Sequence, residues 1–175
     1  MNERNQTTTW LESSVADLTE HDSIRLELYV RSLTPTVGIH GPQERVLERL
    51  RALDSEDVVD ACTVNVWGSH IALEGEATQT SVGRTALDTV AHVREWASSN
   101  EIDVEPFFDE RTVDCEMTGE SYSVLVPPSM CLLVFGDDKL SCVVPCSRAG
   151  RTVSLSEFLT AVENELTARV RPIES

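Results

Sequence analysis

Ile24, Leu26, Leu28 and Val30 alternate with Arg25, Glu27, Tyr29 and Arg31, a period of two that predicts a strand with one buried face. The turn-rich stretch 34–41 (TPTVGIHG) predicts a loop. Pro42 follows at a first helical position, where the N–H that proline lacks would have no partner anyway. Val46, Leu47, Leu50 and Leu53 recur at helical spacing opposite Arg45, Glu48, Arg49 and Arg51. After an acidic break at 54–57, Cys62, Val64 and Val66 alternate with Thr63, Asn65 and Trp67, a second strand that Gly68 ends. A strand–helix–strand unit of this length is expected to be parallel and right-handed.

Val82, Ala86, Leu87, Val90, Val93 and Trp96 or Ala97 mark a longer helix, with residues 78–81 offering its cap. Short strands are expected at 102–104 and 112–117. Beyond Pro127 and Pro128, the apolar run 130–135 turns at Gly136-Asp137-Asp138 and returns over 140–144 as a hairpin. Ser154 and Glu157 have capping-box spacing, and Leu155, Phe158, Leu159, Val162 and Leu166 stripe a closing helix. Residues 1–22 are polar and predict a flexible acidic arm, residues 23–168 a single domain, and residues 169–175 a tail.

The chain has 175 residues, with 30 Asp plus Glu against 14 Lys plus Arg, a formal net charge of −16. Lys139 is its single lysine. In dilute buffer such a surface repels itself, whereas molar salt screens charges to within about 3 Å. The composition resembles that of proteins from extremely halophilic archaea. It argues against nucleic acid as a partner, since phosphate binding needs a basic face, and leaves it open. No apolar run approaches a membrane span, and the start MNERNQTTTW has no signal character, so a cytoplasmic protein away from membranes is expected. Nothing in the sequence sets an oligomeric state.

Candidate chemistry is sparse. Cys62, Cys115, Cys131, Cys142 and Cys146 are odd in number and sit mostly in apolar stretches, as buried free thiols do. Cys146, in the polar run PCSRAGR, is the candidate reactive thiol. Cysteine and histidine spacings lack the close pairs of metal sites, so no metal or other cofactor is expected. His21, His40, His70 and His92 are scattered, no nucleophile motif or phosphate loop occurs, and no catalytic residue is assigned. Trp67 and Trp96 read as packing residues, because the basic neighbours of a nucleic-acid groove are missing.

The run VPPSMCLLVFGDDKLSCVVP followed by SLSEFLTAVENEL, together with LELYVRSLTPTVGIHGPQERVLERLRAL near the start, resembles the thioredoxin-like fold. The resemblance implies an α/β chain of order β-α-β-α-β-β-α with a mixed sheet. It places the 34–41 loop where that family carries its CxxC motif, which this loop lacks. Disulfide exchange is thereby removed, and a non-enzymatic binding or regulatory module is the first reading. Thr34, Thr36, His40 and Pro127 would then hold another protein or a small ligand at a helix N-terminus. A second segment, TSVGRTALDTVAHVREWA, resembles the helix that follows the wing in some winged-helix regulators, and implies a DNA-associated transcriptional regulator using Arg84 and Arg94. An atypical thiol-based redox protein acting through Cys146 or Cys131 is the third reading.

Overall fold

A computed structural model describes the backbone of residues 2–33, 41–55 and 59–170. Thr34, Thr36 and His40 lie outside the described residues. The chain runs through α1 (Asn2–Thr19), β1 (Ile24–Val30), α2 (Pro42–Ser55), β2 (Ala61–Val66), β3 (Ile71–Ala72) and α3 (Ser81–Ser99). It continues with β4 (Asp109–Asp114), β5 (Ser121–Val126), β6 (Met130–Gly136), β7 (Lys139–Val144), β8 (Cys146–Arg148), β9 (Arg151–Val153) and α4 (Leu155–Val170). The architecture is α/β with a mixed main sheet of order β2-β1-β6-β7. No helix among the described residues is long and apolar enough to cross a membrane.

Alternation in β1 sets this sheet. Leu26, Leu28 and Val30 are fully buried, and their neighbours across the antiparallel pair are Val134, Leu132 and Met130 of β6. On its other side β1 runs parallel to β2, as expected for a strand–helix–strand unit. The β6–β7 hairpin turns at Asp137 and Asp138, both in the left-handed region at φ 50° and 66°. Such a two-residue turn matches the twist of the strands it joins.

His21 fixes the end of α1 to this turn: its Nδ1 is 2.9 Å from Asp137 Oδ2, and the Ser23 N–H donates to Asp137 Oδ1 at 3.0 Å. These bonds, that of His21 first, hold the Asp137 carboxyl below its usual range. The imidazole lies so close over Gly136 that a Cβ there would meet it at 2.4 Å. Val15 and Leu18 of α1 join the core, so the segment read as an arm forms a helix with buried contacts.

The closing helix is capped as its spacing predicts. The Ser154 N–H donates to Glu157 Oε2 and the Glu157 N–H to Ser154 Oγ, each at 3.1 Å. Phe158, Leu159 and Val162 are fully buried. Arg49 of α2 reaches α4 with three groups, at 2.6 Å to Glu163, 3.2 Å to Ser156 and 3.0 Å to Thr160.

The β-α-β-α-β-β-α order expected from the sequence omits α1, β8, β9 and a second sheet of order β3-β5-β4. The strand expected at 102–104 is reduced to one bridge between Asp103 and Ser147. The strand expected at 112–117 ends at Asp114 and begins earlier, at Asp109.

Removing the largest fully buried side chain tests how firmly α4 is docked. Phe158→Ala is expected to cost about 3–5 kcal/mol, read by urea unfolding in molar KCl. A loss below about 1 kcal/mol, the range of surface changes, would contradict this packing.

Candidate functional site

Thr80 has the extended backbone of a helix cap, φ −72° and ψ 152°, and its side chain accepts from the Gly83 N–H at 3.0 Å. A helical turn at Glu76–Gln79 leads into that cap, so two helical pieces meet through a single residue before α3. Ala86, Val90, Val93, Trp96 and Ala97 bury one stripe of α3. Its outer face at the N-terminal end presents Ser81, Val82, Arg84 and Asp88. The hydroxyls of Thr85 and Thr89 turn back onto Ser81 O and Thr85 O, each at 2.8 Å. Thr89 Oγ1 also lies 3.5 Å from the Tyr29 hydroxyl, which places α3 on the Tyr29 side of the main sheet.

The second sheet frames this helix. β3 precedes α3 and β4 and β5 follow it, yet β5 lies between β3 and β4 with both pairings antiparallel. Beyond the β3 ladder, Leu73 N–H donates to Ser123 O at 3.1 Å and Glu74 Oε1 accepts from the Ser123 N–H at 2.8 Å. The β4–β5 connection is tied by Cys115 N–H to Glu120 O and Gly119 N–H to Cys115 O, both 2.8 Å. Met117 stands at its tip, 96% exposed.

The two sheets meet at an aromatic joint. The Trp67 ring lies 5.0 Å from that of Tyr29 and edge-on to Phe108 at 5.9 Å. Trp67 and Trp96 are both buried, as packing residues are. The Trp67 indole N–H has no hydrogen-bond partner among the described residues.

The two basic residues singled out on α3 are placed differently. Arg94 is drawn into the fold: its Nε lies 2.9 Å from Glu105 Oε1, without hydrogen-bond alignment, and Nη2 donates to Glu105 Oε2 and Glu110 Oε1 at 3.3 Å each. It fastens α3 to the start of β4. Arg84 is exposed and donates to Gln79 Oε1 at 3.0 Å, across the cap. Arg111 on β4 is exposed and paired with Asp109 at 2.7 Å. A signal for the site was present in the sequence as Thr80, Gly83 and Arg84. The hairpin gave none, because β4 is exposed along most of its length and lacks an apolar stripe.

Two further candidates, Pro127 and Cys146, lie among the described residues. Pro127 is buried, and its carbonyl accepts both Nε, at 2.9 Å, and Nη2 of Arg31. Cys146 is fully buried rather than exposed, and desolvation pushes its thiol up to about 12. Burial raises Cys131 and Cys142 as well. Cys115 moves the other way: hydrogen bonds from the Thr118 hydroxyl, then from the backbone of Thr118 and Met117, lower its pKa. No group of His, Cys, Asp and Glu suited to a metal ion occurs among the described residues. A cleft of about 620 Å³ between α1 and α4 is lined by Leu11, Val15, Ala161 and the carboxylates Glu12, Glu157 and Glu165. Glu157 is already engaged in the α4 cap.

A family model described as a helix-turn-helix domain matches residues 18–167. No curated protein and no solved structure matches the chain. The family match covers the segments on which the thioredoxin-like resemblance rested, and overturns it. That resemblance drew on alternation and helix spacing, which many α/β chains share, with no catalytic residue to anchor it.

The thiol environments predict an order of alkylation in the native protein. Cys115 is expected to react first and at lower pH than an ordinary thiol, while Cys131, Cys142 and Cys146 stay unmodified until unfolding. Thr118→Val should move the Cys115 rate profile to higher pH. Mass spectrometry reads both, and prompt native labelling of Cys146 would contradict its burial.

Proposed function

The chain belongs to the helix-turn-helix domain family, and from that membership we propose that it is a DNA-associated regulator meeting the duplex with α3 and the β4–β5 hairpin in winged-helix fashion. The observation that carries this reading is the second sheet. Its first strand precedes α3, its hairpin follows, and the returning strand β5 inserts between them, so helix and hairpin project from one small framework. The hairpin lies after α3, whereas the sequence resemblance implies a wing before it. The turn at Glu76–Gln79 and its cap supply the short helix-to-helix passage.

Charge constrains how such a contact works. A net charge of −16 opposes approach to phosphate, and Arg94 and Arg111 are already paired. In molar salt the gain from releasing counterions is small for any protein. Recognition then rests on hydrogen bonds and apolar contact at base edges, and Val82, Met117 and Tyr122 are exposed on these elements. The cytoplasmic location expected from the sequence suits this role.

Selection from a random-sequence duplex pool in molar KCl, followed by fluorescence anisotropy, tests the proposal. The intact protein is expected to enrich a sequence and bind it with a shallow salt dependence. Arg84→Ala should weaken binding about tenfold, roughly 1.4 kcal/mol. Arg94→Ala should lower stability more than it alters intrinsic affinity, because that side chain holds α3 to β4. Enrichment of no sequence by the folded protein would refute the proposal.

A further inference from the structure

In a chain with 30 Asp plus Glu a guanidinium ordinarily meets a carboxylate, and Arg25, Arg49, Arg94, Arg111 and Arg151 each lie 3.9 Å or less from one. Arg84 does not. It is exposed near the start of α3, and Asp88 follows at a spacing that suits a helical ion pair, yet no carboxylate among the described residues pairs with it. Its partner is a neutral amide, Nη2 donating to Gln79 Oε1 at 3.0 Å. Arg31 also meets a neutral oxygen, but it is half-buried and closes both Nε and Nη2 on the Pro127 carbonyl. Arg84 gives up one hydrogen of Nη2, and its other donors have no partner among the described residues. The turn that holds this pair is itself fixed. Thr80 lies between the two residues, its hydroxyl accepting from the Gly83 N–H at 3.0 Å and its carbonyl from the Arg84 N–H at 2.9 Å.

We propose that Arg84 reads a guanine in the major groove and that Gln79 is the residue that positions it, an assignment that rests on the duplex reading above. A neutral acceptor orients the guanidinium without neutralising it, whereas a carboxylate in its place would compete with the target for the same donors. Held from one side, a long side chain rich in rotamers loses less freedom on binding. Nη2 carries one hydrogen on each edge of the planar fork. Whichever of the two Gln79 takes, the other edge keeps a parallel pair of donors. Guanine is the base whose major-groove edge sets two acceptors, O6 and N7, side by side to meet such a pair. A phosphate accepts the same fork, but its contact carries no sequence information and gains little from counterion release in molar salt.

Anisotropy on the duplex selected in molar KCl tests it, with each guanine replaced in turn by 7-deazaguanine, which lacks N7, and folding checked by circular dichroism. For the wild-type chain one replacement should weaken binding about tenfold, and Arg84→Ala should abolish that penalty. Gln79→Ala should shrink it. Gln79→Glu should remove it, although glutamate still offers an oxygen to Arg84 across the cap. A Gln79 that served only to brace the turn would be replaced well by glutamate, and the penalty would keep its wild-type size. The proposal is overturned by a wild-type chain indifferent to every replacement, by a penalty that Arg84→Ala leaves intact, or by one that both folded Gln79 variants leave unchanged. Enrichment of no duplex sinks the duplex reading and this assignment together, whereas enrichment with any of those three results sinks this assignment alone.

Discussion

β1 and β6 lie side by side from Ile24 opposite Gly136 to Val30 opposite Met130, and the rest of the fold is built outward from this pair. Leu26, Leu28, Leu132 and Val134 lose essentially all contact with water there. Burying such side chains contributes roughly 1.5–3 kcal/mol each, an upper range because the unfolded chain already shields part of that surface. β2 and β7 attach on either flank, and α3 packs on the Tyr29 side. With the pair in place, the chain between β1 and β6 must hold two helices and the second sheet within the span that the strand ends allow.

The arginines explain how an acidic chain stays compact. Arg25, Arg49, Arg94, Arg111 and Arg151 each pair with a carboxylate. Arg49 and Arg94 also bridge separate elements. A guanidinium suits this work because its planar fork reaches several acceptors at once, as Arg49 does across α4. The exposed pairs contribute little individually. Their effect is to neutralise carboxylates locally, and in Arg49 and Arg94 to tie separate elements together.

Local signals in the sequence were legible where one residue pattern has one structural solution. The alternation from Ile24 to Val30, the Ser154–Glu157 box and the Asp137-Asp138 turn all occur as expected. Long-range pairing was not legible. β3 has two residues, too few to alternate, yet its place beside β5 defines the second sheet. Cys146 misled because its neighbours Ser147 and Arg148 are polar, whereas the β8–β9 pairing, with Cys146 opposite Val153, turns its side chain inward. The thioredoxin-like resemblance failed for a similar reason, since element order along a chain leaves open what is inserted between the strands. Of the candidate site, Thr80 and Arg84 could be found locally, and the hairpin beside α3 could not.

The joint at Trp67 carries a further consequence. Its ring fits well between Tyr29 and Phe108, but its N–H is withdrawn from water without a partner among the described residues. An unmet donor of this kind costs about 1–3 kcal/mol. That cost falls between the main sheet and the framework holding α3 and the hairpin, so the joint is apolar in fit and frustrated in hydrogen bonding. The unmet donor thus sits where the main sheet meets the sheet that flanks α3, so the fit of this joint rests on ring packing alone.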